Sequence, residues 1–148
     1  MHVPLRIEIA DEQETHRVEH GRLILAVRKI LTEAGYDQGE VSIAIVNDAA
    51  MHELNRRYLQ HDYPTDVLSF VLEEEEHRLV GQLIVSADYA AREAPTFGWT
   101  LNDELLLYTI HGALHLIGYD DQEPDLKAAM RTAEQRYLAR FGLTPHDS

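Results

Sequence analysis

Apolar residues alternate with other types at Val3, Leu5, Ile7 and Ile9, a period of two that predicts a first strand. After a polar turn the period becomes helical. Val18 to Ala34 sets Leu23, Val27, Ile30, Leu31 and Ala34 on one stripe, and Gly35 supplies a stop. Val41 to Val46 reads as a second strand. Asn47 or Asp48 can cap a short helix to about Leu59, with Met51, Leu54 and Tyr58 turned inward. Pro64 breaks the chain, Val67 to Leu72 forms a third strand, and the acidic run Glu73–Glu76 with His77 and Arg78 reads as a solvated loop. Leu79 to Val85 returns as a fourth strand, antiparallel to the third because the connection is short.

The remainder is helical. Ser86 can cap a short helix that stops before Pro95. Thr100 and Asp103 stand in capping-box spacing at the head of a helix that runs through Leu116 to Gly118. A last amphipathic helix runs from Pro124 to Phe141, with Leu126, Met130, Ala133, Tyr137 and Phe141 inward and Gly142 as its end. No repeat, linker or low-complexity tract interrupts this order. The pattern β-α-β-α-β-β-α-α-α predicts an α+β protein: a single small domain over residues 1–148, with a four-stranded mixed sheet packed with about five helices.

Composition narrows the chemistry. At 148 residues and 45% hydrophobic, the chain can bury a self-sufficient core. It has no cysteine, so disulfides, thiolate metal sites and thiol nucleophiles are excluded, and any metal must use nitrogen and oxygen ligands. Met1 to Ala10 is too short and mixed for a signal peptide, and no apolar run approaches the ~20 residues of a membrane span. A cytoplasmic protein with no membrane contact is expected. The net charge of −13, from 13 basic and 26 acidic residues, argues against broad electrostatic binding to nucleic acid. It favours a small, specific contact or a protein partner. Eleven of the basic residues are arginine, the side chain suited to bidentate phosphate contacts.

The stretch richest in chemistry is His111-Gly-Ala-Leu-His115-Leu-Ile-Gly118-Tyr-Asp-Asp121. Two histidines four apart on a helix present their rings on one face, where they can take adjacent vertices of a tetrahedral metal site. Gly118 lets the chain reverse, which can bring Asp120 or Asp121 back over the rings. Three protein ligands leave one position open, the layout of a catalytic zinc site holding one Zn2+ ion per chain. Two ordinary helix histidines, satisfied by water or backbone, are the competing account; the glycine turn and the acids after it weigh against them. The spacing repeats the ligand pattern of metzincin peptidases, with Asp121 third. Those enzymes need a glutamate directly after the first histidine, and Gly112 stands there.

HGALHLIGYDD is similar to the signature of the YbeY-type endoribonucleases, bacterial rRNA maturation factors, usually H-G-x-L-H-L-x-G-Y-D-H. Two more blocks resemble that family: Leu54-Asn55-x-x-Tyr58 followed by Asp62-x-Pro64-Thr65-Asp66-Val67-Leu68-Ser69-Phe70, and Gly81 to Ser86, like its L-G-D-I-V-I-S strand. The resemblance spans residues 54–121. It implies a compact α+β domain, a zinc ion, and metal-dependent cleavage of single-stranded RNA in small-subunit rRNA maturation and ribosome quality control. The implied partners are ribosomal RNA and, beyond it, ribosomal proteins or a ribosome-associated GTPase. Asp121 occupies the family's third ligand position, where histidine is usual; the substitution keeps an acceptable ligand but makes the ion a weaker Lewis acid.

Two further departures bear on mechanism. The family's usual arginine is Leu59 here, and Arg56, one helical turn earlier on nearly the same face, is the expected contact to the scissile phosphate, with Arg57 beside it. Gln82 replaces the aspartate of the strand motif. Asp62, Thr65, Asp66 and Ser69 can shape the cleft, although turn capping accounts for them equally well. Trp99 reads as a helix-entry anchor, and the other histidines, His16 among them, as surface residues. Two rival functions remain. A zinc peptidase is weakened by Gly112, whereas a zinc-binding, ribosome-associated module without hydrolase activity is favoured by the acidity and by Leu59.

Overall fold

The computed structural model describes residues 4–59 and 66–144; Asp62, Pro64 and Thr65, and the side chain of Leu59, lie outside the described residues. The elements are β1 (Arg6–Asp11), α1 (His20–Glu33), β2 (Gln38–Val46), α2 (Asp48–Leu59), β3 (Val67–Glu75), β4 (Arg78–Ser86), α3 (Ala87–Glu93), a 3-10 turn (Ala94–Phe97), α4 (Leu101–Leu116) and α5 (Pro124–Ala139). This is the predicted α+β order. The sheet has four strands in the order β1-β2-β4-β3. β1, β2 and β4 run parallel, and β3 pairs antiparallel with β4, so the sheet is mixed.

Strand alternation splits the core in two. Val41, Ile43 and Ile45 of β2 and Leu79, Leu83 and Val85 of β4 face one way, into the large cluster built with α1, α4 and α5. Ala44 and Val46 of β2 and Ile84 of β4 face the other way, where Met51 of α2 and Leu68 of β3 complete a smaller cluster. The helix that carries both site histidines, α4, is buried on most of its circumference and packs against α1, α3, α5 and the sheet. Its start is fixed by the predicted capping box: Thr100 accepts from the Asp103 amide, and Asp103 accepts from that of Thr100. A buried helix gives its side chains little freedom, which makes α4 a rigid platform for a site.

Four expectations change. Glu73–Glu75 belong to β3 rather than to a loop, because β4 offers them a pairing edge through Val80, Leu79 and Arg78 while their side chains stay in solvent. Tyr36 and Arg78 bind two of those carboxylates, at 2.6 and 3.3 Å. Tyr58 is 57% exposed rather than inward, lying edge-on to the Phe70 ring at 5.9 Å. Leu126 is also exposed, since residues 121–129 all face solvent and α5 joins the core only from Met130 onward. His16 is half-buried, with Nε2 2.9 Å from Asp88. Ser86 caps α3 as expected, accepting from the Tyr89 amide, and Trp99 packs against the core. Among the described residues no helix is long and apolar enough to cross a membrane.

Candidate metal centre

The site is assembled where α4 ends. Ile117 closes the helix and Gly118 takes a φ of 108°, a conformation strained for a side-chain-bearing residue. The Tyr119 amide donates to the Leu114 carbonyl and the Gly118 amide to that of His115, the paired bonds of a Schellman turn. The reversal fixes two things at once. It places the Tyr119 carbonyl 3.0 Å from His115 Nδ1, and it returns the following acids over the last turns of α4.

Those acids divide the work. Asp120 turns its carboxylate onto the backbone, accepting from the amides of Asp121 and Gln122 at 2.7 and 3.2 Å. Asp121 directs Oδ2 to the histidines, 3.5 Å from His111 Nε2 and 3.8 Å from His115 Nε2. The two Nε2 atoms are themselves 3.1 Å apart. In a tetrahedral zinc site with bonds of about 2.0–2.1 Å, neighbouring ligand atoms sit roughly 3.3 Å from one another. The three separations bracket that value. His111, His115 and Asp121 together could hold a metal ion.

Tautomer chemistry gives an independent test of fit. His111 Nδ1 lies 2.7 Å from Glu134 Oε2, and a carboxylate only accepts, so Nδ1 carries the proton. His115 Nδ1 faces a carbonyl, which imposes the same tautomer. With the Nδ1 atoms so engaged, the two Nε2 atoms face each other across 3.1 Å, and in the neutral rings both would offer lone pairs to a cation between them. Electrostatics act in the same direction. Burial pulls the His111 pKa down, but the Glu134 hydrogen bond and charge, helped by Asp66 and Asp121, outweigh it and leave it above the ordinary value.

A cleft of about 510 Å³ opens beside the group, with His111 and Asp121 in its wall. Its floor is α4, through Glu104, Leu107 and Tyr108; α3 and the 3-10 turn supply Tyr89, Glu93 and Phe97 on one side. On the other side α5 supplies Lys127, Met130, Arg131 and Glu134. Burial and a hydrogen bond to Glu104 raise the Tyr108 pKa far above its usual range, so this phenol stays protonated. Asp66 lines the cleft and also accepts from the Val67 amide at 2.7 Å, so both roles open to it in the sequence are present; Ser69, on β3, is not among the lining residues, and neither is Arg56. Arg56 sits exposed on α2 with its guanidinium 2.7 Å from Glu53.

Gly112 has a packing reason. A Cβ there would lie 2.9 Å from both Leu83 and Val67, so the glycine is what lets α4 approach the sheet. A glutamate at this position would be driven into the strand residues Leu83 and Val67. Glu134, Glu104, Lys127 and Arg131 were not singled out from the sequence. Only Glu134 left a signal: it follows Met130 by four residues, a charge at the margin of an apolar stripe.

The architecture and the three converging donors define an α+β domain with a histidine–histidine–carboxylate centre on a buried helix. The family profile described as endoribonuclease YbeY matches residues 8–142. A relative of that description in Rhodopirellula baltica is 42% identical over 132 residues, which cover 88% of this chain and 66% of the relative. Another, in Pelotomaculum thermopropionicum, is 39% identical over 132 residues, with 84% and 87% covered. One in Bacillus licheniformis is 36% identical over 156 residues, with 95% and 97% covered. The solution structure of a Thermotoga maritima protein matches with a TM-score of 0.57 at 25% identity, covering 93% of this chain and 91% of that one. The chain belongs to the YbeY endoribonuclease family.

Proposed function

We propose that this chain is a zinc-dependent endoribonuclease that cleaves single-stranded RNA, acting as a single domain over residues 1–148 in small-subunit rRNA maturation and ribosome quality control. What carries the proposal is the convergence of His111 Nε2, His115 Nε2 and Asp121 Oδ2 in a chain of the YbeY endoribonuclease family. Two imidazoles and one carboxylate suit zinc, with one ion per chain and an open fourth position. A bound ion would supply Lewis-acid polarisation of a phosphoryl oxygen.

The chain's own residues do the rest. His111 and His115 are the proposed nitrogen ligands, and Asp121 the third, which adds negative charge to the set. Glu134 and the Tyr119 carbonyl hold the two rings in the ligand-competent tautomer. Arg56 is the proposed contact to the scissile phosphate. Its guanidinium is exposed to solvent beside Glu53, where a phosphate can reach it. The setting we propose is the cytoplasm, with ribosomal RNA as substrate and ribosomal proteins or a ribosome-associated GTPase as partners.

The test begins with metal content in protein purified without chelator, where about one zinc per chain is expected. His111→Ala is then expected to lose both the zinc and the cleavage of a single-stranded ribosomal RNA fragment. Cleavage that persists in that variant would sink the mechanism. If the wild type retained zinc and captured ribosomal protein but cut no RNA, the non-catalytic module would replace the enzyme.

A further inference from the structure

The walls of the cleft are mostly hostile to RNA. Asp66, Glu93, Glu104 and Glu134 line it along with Asp121, and a phosphodiester is repelled by each. Lys127 and Arg131 are the only lysine or arginine side chains among the described residues that line it. They sit four residues apart on α5, on one face and about 6 Å apart along the axis, a spacing close to that of successive phosphates in an extended strand. Arg131 is also one turn from Glu134, whose carboxylate holds His111. Asp121 just before α5 and Glu134 within it both reach His111, and Lys127 and Arg131 lie between them in the chain, on the wall of the same cleft.

Resting on the ribonuclease reading, we propose that Lys127 and Arg131 form a phosphate-binding track that positions the RNA strand along α5, beside the candidate metal centre. Tyr89 and Phe97 also line the cleft and give it aromatic surface, with the Arg92 guanidinium lying over the Tyr89 ring 5.5 Å from its centroid. A chain of net charge −13 needs such a local device, since its overall field repels the substrate. Arg131 also suits bidentate contact with a phosphate, while Lys127 acts as a point charge.

The experiment uses the full chain and a labelled single-stranded oligouridylate, with binding read by anisotropy on metal-free protein and cleavage read on zinc-loaded protein. The double variant Lys127→Ala/Arg131→Ala is compared with Arg6→Ala/Lys29→Ala, which removes the same charge from β1 and α1. Loss of the track is expected to weaken binding and raise KM about tenfold or more, with kcat and zinc content little changed. Each contact to a single strand contributes about 0.7 to the slope of log K against log salt, so the slope should fall by about 1.4 in the track variant and by nothing in the control. A track variant with wild-type affinity and slope overturns the proposal even if the wild type cleaves RNA. A wild type that neither binds nor cuts the oligouridylate overturns both the track and the ribonuclease reading.

Discussion

A histidine offers one ring nitrogen to a metal when its other nitrogen carries the proton, so the residue that takes that proton matters as much as the ligand. Spacing alone points to His111 and His115, because ligand pairs four apart on a helix need no knowledge of the fold. Gly118 leaves Asp120 and Asp121 as equal candidates and the family resemblance favours Asp121; the fold separates them, turning Asp120 onto backbone amides and Asp121 toward the rings. Spacing does not point to Glu134, since its bond to His111 exists only once α5 lies against α4, and no local pattern reports that crossing. Its role is nonetheless open to a direct test. Replacing Glu134 with alanine removes the acceptor at Nδ1 and is expected to lower zinc affinity about 10–100-fold, while glutamine, which keeps a carbonyl acceptor, should cost less. Competition with a chromophoric chelator at constant pH measures both. Equal affinities across the wild type and the two variants would deny Glu134 any part in orienting the ring.

Among the elements, the strands and helices were readable wherever a periodic apolar face coincided with a cap or a glycine stop, as in α1 and α4. The acidic end of β3 was not, because Glu73–Glu75 carry no apolar alternation and become a strand only through the pairing edge of β4. Another link between elements is invisible in sequence for the same reason. Asp88, at the start of α3, accepts from the Asp48 amide that opens α2 and from His16 in the β1–α1 connection, at 2.8 and 2.9 Å. The Asp48 hydrogen bond, with smaller help from His16, holds its carboxyl below the usual pKa despite the opposing effect of burial. A depressed folded-state pKa means that the ionised form stabilises the fold above the unfolded value of about 3.9, and that this is lost as pH falls through the folded value. Asp88→Asn, which keeps a neutral acceptor, is expected to cost about 1 kcal/mol at neutral pH. Chemical denaturation across a pH series should find the two proteins converging below about pH 4. A difference that stays constant down to low pH would mean that the charge on Asp88 contributes nothing.

At the scale of the whole molecule, one property was plain from composition and another was concealed. The net charge of −13 is visible at once; its separation from the cleft cations is not, because Lys127 and Arg131 come to share a cleft with His111 only through tertiary packing. The two act on RNA over different distances. At about 10 mM salt the Debye length is near 30 Å, so an approaching strand meets the repulsion of the entire chain; at about 100 mM it shrinks to roughly 10 Å and mostly local charges remain. Above that, competition from salt cations for the phosphates weakens the direct contacts themselves. For a ribonuclease built this way, kcat/KM on a short single-stranded RNA should rise between about 10 and 100 mM monovalent salt and fall beyond it. Initial rates in a salt series at fixed zinc measure this. A monotonic fall from the lowest salt upward would mean that the cations near the site dominate the field at every distance, and that the acidity of the rest of the chain serves a protein partner instead.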